Sequence, residues 1–186
     1  MLRRSLLTSA IAASLLTTFS LPAFATQVYE TDLVIIGGGL SGLAAAQSAV
    51  DQGAKPIVLE KEAALGGGGN FPEGSLGVGT RYQKEHNINT TVDQVLIAAL
   101  QYHHYRADPH VLRVLIEESG KTIDWVMDKG AQMLGIRTMY PKDESLMTWH
   151  LFKGGAAGII QRFAKEVRAK GGTILTETPA KKLIVE

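Results

Sequence analysis

Residues 32–60 read DLVIIGGGLSGLAAAQSAVDQGAKPIVLE. An apolar run, Leu33 to Ile36, leads into Gly37-x-Gly39-x-x-Gly42, followed by an alanine-rich stretch from Leu43 to Gln52. A turn at Gly53-Ala54-Lys55 leads to a second apolar run, Pro56 to Glu60. Strand, glycine turn, helix and strand in so short a span form a βαβ unit. Gly37 permits the tight turn, Gly39 lets backbone approach a pyrophosphate, and Gly42 lets the helix pack close to the strand. Phosphates held there meet Leu40 and Ser41 at a helix N-terminus, where unpaired N–H groups and the helix dipole favour negative charge. Glu60 follows Gly42 by 18 residues, at the end of the second strand, where a carboxylate can accept from a ribose hydroxyl. Taken alone, this fingerprint fits NAD or FAD.

The next segment is again glycine-rich: Gly66-Gly67-Gly68-Gly69-Asn70-Phe71-Pro72-Glu73-Gly74, with Gly77 and Gly79 beyond. Such a composition predicts neither a packed helix nor a regular strand. From about 90 to 130 the pattern turns helical. Thr90-Thr91 precedes Val92, Val95, Leu96, Ala99 and Leu100, and Asp108-Pro109 offers an N-cap with proline at the first helical position. Apolar residues at Val111, Leu112, Leu115 and Ile116 predict one helix, and Ile123, Trp125, Val126 and Met127 a further one ending near Gly130. From 130 to 145 there is no clear period, and loop with short strands is expected. Gly154-Gly155 opens a helix carrying Ile159, Ile160, Phe163 and Val167 on one face; Lys170-Gly171-Gly172 ends it. Thr173 to Glu177 reads as a strand, and Lys181 to Glu186 as the start of another. A strand at a chain end needs a partner, so the reading is of the N-terminal piece of a longer protein.

Glu60-Lys61, the Gly66-Gly67 pair, Asn70 and Gly74 together resemble the fumarate reductase and succinate dehydrogenase flavoprotein family, over about Thr31 to Glu186. The resemblance implies an α/β fold: a Rossmann-like FAD-binding domain with a parallel sheet over 26–186, carrying the helical insertion at about 90–130 that begins the substrate side. It implies FAD as cofactor, contacted by Gly37, Gly39, Leu40, Ser41, Gly42, Glu60 and Lys61. The second loop, with Gly67, Gly68, Gly69, Asn70 and Gly74, then runs along the pyrophosphate and isoalloxazine ring. Family members often carry Asn where this chain has Gly68. Members with covalent flavin use a histidine in this loop; none lies between Lys61 and Lys84, which implies noncovalent flavin. Thr178-Pro179-Ala180 resembles the return to the nucleotide fold, with the Ala180 backbone near the adenine. The implied activity is hydride transfer from reduced flavin to an activated C=C of a carboxylate-bearing substrate. A dehydrogenase working in the oxidising direction, and an electron-transfer module without a substrate site, are the alternatives. The family's substrate clamp and its arginine acid lie beyond residue 186, so no catalytic residue is assigned.

The first 25 residues read as a signal peptide: Arg3-Arg4, an apolar stretch from Ser5 to Leu21, then Ala23-Phe24-Ala25 before Thr26. The stretch is short and rich in Ser and Thr, which disfavours a stable membrane span. A periplasmic or secreted protein is expected, exported through either the Sec or the twin-arginine route. Taking Arg3 and Arg4 from the 19 basic residues leaves 17 against 18 acidic ones, a balance that does not favour nucleic acid. There are no cysteines, hence no c-type haem attachment in this chain, so electrons must come from an external donor such as a cytochrome or quinol-linked protein. His103-His104 reads as a solvated pair rather than a metal site, because adjacent residues do not share a helix face. His150 reads as a packed, hydrogen-bonded histidine, with a position near flavin or substrate as the alternative.

Overall fold

A computed structural model describes residues 27–140 and 145–184. The expected signal peptide, at 1–25, lies outside the described residues. Contacts divide the chain into Met1–Glu30 and Thr31–Glu186, and the fold is that of the second unit.

Its nucleotide-fold half is a parallel sheet. Strand β1 (Val34–Ile36) pairs with β2 (Ile57–Leu59), and β2 pairs with β6 (Thr173–Leu175), giving the order β1-β2-β6. The register sets Ile35 opposite Val58 and Val58 opposite Ile174. Helices α1 (Leu40–Asp51) and α5 (Gly155–Ala169) pack against one face, where Ile35, Val58, Ala46, Val50 and Val167 form a core with Ile174. Because side chains alternate across a strand, burying Ile35 turns Val34 and Ile36 to the other face, where they are 53% and 58% exposed. A larger cluster links Leu43 of α1 to Ile160 and Phe163 of α5 and to Phe152. Each large apolar side chain buried there stabilises the fold by about 1.5–3 kcal/mol.

The other half is an antiparallel sheet of order β3-β5-β4, formed by β3 (Gly74–Leu76), β4 (Met133–Thr138) and β5 (Met147–Phe152). Here the structure corrects the reading of the second glycine segment, which contains a 3-10 turn at Gly67–Asn70 and then a strand. Gly74 is what lets that strand form: a Cβ there would sit 2.1 Å from the His150 carbonyl oxygen of β5.

Three helices flank this sheet. The short α2 (Arg81–Glu85) and α3 (Val92–Tyr102) each start on a capping box, Thr80 with Gln83 and Thr91 with Gln94. The two helices expected between 109 and 130 are one, α4 (Pro109–Asp128), capped by the Asp108 carboxylate on the N–H groups of His110 and Val111. The polar stretch between its apolar groups contains Ser119 and Gly120, both buried. A Cβ at Gly120 would lie 2.1 Å from the Val78 carbonyl oxygen, so the glycine marks close packing rather than a break. Of the strand expected over Lys181 to Glu186, residues 181–184 have no regular structure and are exposed, while 185 and 186 lie outside the described residues.

Candidate functional site: two glycine loops side by side

The chain leaves β1 at Gly37, where φ is 104°, a conformation that favours glycine. Helix α1 begins at Leu40, earlier than the expected Leu43, so Gly42 lies in its first turn. A Cβ at Gly42 would meet the Gly37 carbonyl oxygen at 2.0 Å, which is the close strand-to-helix approach the fingerprint predicts. Gly39 is the N-cap and supplies no side-chain cap. The first-turn N–H groups of Leu40, Ser41 and Gly42 therefore have no side-chain acceptor, the condition for an anion to take that place.

The second loop runs beside the first. Gly66 N–H donates to the Gly38 carbonyl at 2.9 Å, and Gly39 and Gly66 form a parallel bridge. Gly69 lies against Leu40: a Cβ there would be 3.2 Å from the Leu40 Cβ. At Gly37, Gly67 and Gly68 a Cβ would meet nothing within 4 Å, so the loops present open backbone rather than side chains. Such a surface accommodates a pyrophosphate, whose approach any side chain would obstruct.

Glu60 is 8% exposed, and backbone N–H groups occupy both its oxygens. Gly38 donates to Oε2 at 2.7 Å and Glu62 to Oε1 at 2.9 Å. The Glu62 and Gly38 hydrogen bonds, in that order, hold its pKa below the ordinary glutamate range, against the opposing effect of burial. The carboxylate thus ties the first glycine turn to the end of β2, a structural task the sequence did not disclose. Each oxygen retains acceptor capacity for a hydroxyl.

Other expected contacts fall unevenly. Lys61 is exposed and pairs with Glu62 at 3.5 Å. Asn70 is exposed and folds back on its own loop, its amide donating to the Leu65 carbonyl at 2.9 Å. Gly74 is buried in β3. Ala180 is exposed; nearer β6, Thr178 N–H donates to the Glu60 carbonyl at 2.8 Å, which returns the chain to the nucleotide fold. His104 follows α3 with φ of 52°, and among the described residues no group of three or more potential ligands could hold a metal.

His150 is completely buried. Its Nδ1 lies 3.0 Å from the Thr148 carbonyl, so Nδ1 carries the proton, and Nε2 lies 2.9 Å from Thr80 Oγ1 and accepts from it. Gln83 extends the network, donating to the carbonyls of Gly77 and Met147. Burial lowers the His150 pKa, more than the Thr148 hydrogen bond raises it. This is the packed, hydrogen-bonded reading. The sequence reading does not name Thr80 as its partner, although the capping-box spacing of Thr80 and Gln83 is visible in the sequence.

The fold and the two loops define a dinucleotide-binding unit of the Rossmann kind. The FAD binding domain family model matches residues 32–186, and the chain belongs to that family of flavoproteins, with FAD as its cofactor. It is 35% identical over 150 residues to a vinyl phenol reductase of Lactiplantibacillus plantarum, covering 80% of this chain and 30% of that protein. It is 31% identical over 119 residues to a fumarate reductase (cytochrome) of Shewanella frigidimarina, covering 63% of this chain and 21% of that one. A flavocytochrome c3 fumarate reductase structure superimposes with a TM-score of 0.70 at 22% identity, over 84% of this chain and 28% of that chain, a likeness of fold. This chain thus spans less than a third of the length of these relatives.

Proposed function

We propose that this chain is the FAD-binding part of a longer flavoprotein reductase of the fumarate reductase type, acting on an activated C=C of a carboxylate-bearing substrate. The observation that carries the reading is the bridge between Gly39 and Gly66, which aligns the two glycine loops so that a dinucleotide crossing the first continues along the second. The relatives named vinyl phenol reductase and fumarate reductase support reduction of a C=C bond as the reaction class.

In this reading FAD, held noncovalently, supplies a hydride to one alkene carbon while a proton reaches the other. The chain's own residues bind and orient. Leu40, Ser41 and Gly42 offer N–H groups to the pyrophosphate, and Glu60 accepts from the adenosine ribose. Gly67 to Gly69 and Gly74 flank the rest of the cofactor, with Asn70 bracing the loop and Lys61 and Ala180 near the nucleotide end. The segment 92–128 is an insertion on the substrate side.

Electrons come from an external donor, a cytochrome or quinol-linked protein, in line with the relative named fumarate reductase (cytochrome). Export fits the leader-like first 25 residues. No helix among the described residues is long and apolar enough to cross a membrane. The test is to reduce the purified holoprotein with a viologen and supply enoates or their saturated analogues. Reoxidation of the flavin by enoates is expected; reoxidation by none of them, in a protein that holds FAD, contradicts the assigned reaction.

A further inference from the structure

Only Phe71, Pro72 and Glu73 separate the 3-10 turn at Gly67–Asn70 from the first residue of β3, Gly74. That short link is fastened along its length. The Pro72 carbonyl accepts from Ala156 N–H of α5 at 2.9 Å, and the Glu73 carbonyl from Phe152 N–H of β5 at 3.3 Å. The position of β3 on β5 therefore sets where the second glycine loop ends.

That position is fixed by the buried His150. It stands opposite Ser75 in the register of β3 on β5. Just beyond β3, Gly77 N–H donates to the Thr148 carbonyl at 2.9 Å, and the same oxygen accepts the His150 Nδ1 proton at 3.0 Å. Gly77 also lies against the ring, since a Cβ there would be 2.7 Å from His150 Cε1. The Gly77 carbonyl accepts from the Gln83 amide at 3.1 Å. Thr80 closes the ring of bonds: its hydroxyl accepts from Gln83 N–H at 3.0 Å and donates to His150 Nε2 at 2.9 Å. His150, Thr80 and Gln83 are at most 1% exposed, so water cannot replace a bond that is lost. Hydrogen bonds depend on direction, so a satisfied buried network specifies one arrangement of β5, β3 and α2 more sharply than apolar contact does.

We propose that His150, acting through Thr80 and Gly77, is a positioning residue for the flavin: it fixes β3 on β5 and so holds the second glycine loop in the geometry that receives FAD. The inference rests on the reading that places Gly67 to Gly69 beside the flavin, and it gives His150 no contact with cofactor or substrate.

The experiment compares the full-length parent with His150→Ala, Thr80→Val, Thr80→Ser and Val167→Ala. Thr80→Val keeps the side-chain shape and serves where His150→Ala does not fold; Val167→Ala removes buried apolar volume in the last turn of α5, away from the loop. FAD is titrated into each flavin-free protein, the flavin potential is measured in each holoprotein, and amide exchange is followed at Gly66 and Gly69, whose N–H groups donate to Gly38 and Gly66. Thr80→Val is expected to weaken FAD binding at least about tenfold, to shift the potential toward that of free FAD and to speed exchange at both amides. Thr80→Ser should restore all three, and Val167→Ala should lose stability while changing none of them. Unchanged affinity and potential in a folded Thr80→Val, or equal losses in Val167→Ala, would overturn the inference, the latter by reducing His150 to a part of the general packing. A parent that takes up no FAD would count instead against the cofactor reading of the loops, and exchange in the flavin-free proteins would still decide whether His150 and Thr80 order the second loop.

Discussion

At the scale of single residues, the glycine fingerprint is constrained by backbone contacts that tolerate no added atom. A Cβ at Gly42 collides with the carbonyl oxygen of Gly37, part of the turn itself, so no side-chain rotation can relieve it. Gly42→Ala should lower stability by about 1–3 kcal/mol, as overpacking does, and weaken FAD binding more than a substitution at exposed Ser41. Thermal melts with and without FAD measure both effects. Glu60 makes a prediction about pH. Its folded pKa lies below that of the unfolded chain, so its contribution is complete above about 4.3 and is lost as pH falls through the folded value. Glu60→Gln should cost about 1–3 kcal/mol at neutral pH, because its NH2 group must face a backbone donor. The difference between Glu60→Gln and the parent should shrink below pH 4 in denaturant titrations; an unchanged difference would contradict the assigned role.

His150 behaves in the same sense for a different reason. Burial lowers its pKa, so the neutral ring is favoured in the folded state, and its contribution is complete above about 6.5 and declines as pH falls. His150→Ala should cost about 2–4 kcal/mol, removing a buried ring and the nearer of the two acceptors of the Thr80 hydroxyl. Unfolding titrations between pH 5 and 8 should show the parent losing stability toward acid more steeply than the variant.

Among the secondary-structure elements, the sequence revealed what has a simple period or a strong local signal. The βαβ unit, the caps at Thr91 and Asp108, and the helix opening at Gly154-Gly155 were all readable. The antiparallel sheet was not. In β5 the buried positions alternate as Thr148, His150 and Phe152, and two polar residues among the three conceal a period-2 pattern. In β4 a register shift between Met133 and Gly135, with φ of 153° at Gly135, breaks the alternation. Strand β3 contains a glycine that close approach to β5 requires, and glycine argues against a strand in composition alone. The same ambiguity divided α4 at Gly120, which contacts Val78 instead of ending the helix. Both glycine loops of the candidate site were likewise visible, but their bridge was not, because it joins residues far apart in sequence.

In the molecule as a whole, Asp51 joins the ends of three helices. Lys129, following α4, and Lys170, following α5, both reach the Asp51 carboxylate at the end of α1, and Lys170 also pairs with Glu166 at 2.8 Å. Desolvation works against ionisation of Asp51, but hydrogen bonds from Lys129 and Lys170 outweigh it and hold the pKa low. Asp51→Asn should destabilise the fold by about 1 kcal/mol, less at high salt, since the pairs are partly exposed. Guanidinium and urea melts compared at equal stability would reveal that salt sensitivity. Val34 and Ile36 of β1 are exposed. With α1 and α5 covering one face of the parallel sheet, the opposite face keeps apolar side chains in solvent, as expected of a chain that spans less than a third of its relatives' length.

If the two bridged glycine loops hold FAD, the flavin content of the purified protein and of Gly42→Val, read by absorbance against protein concentration after denaturation and release, must differ. One FAD per chain in the parent, released intact by denaturation, and a loss of at least tenfold in affinity in the variant is the predicted result. Equal flavin content in both proteins, or none in the parent even after incubation with FAD, would contradict it.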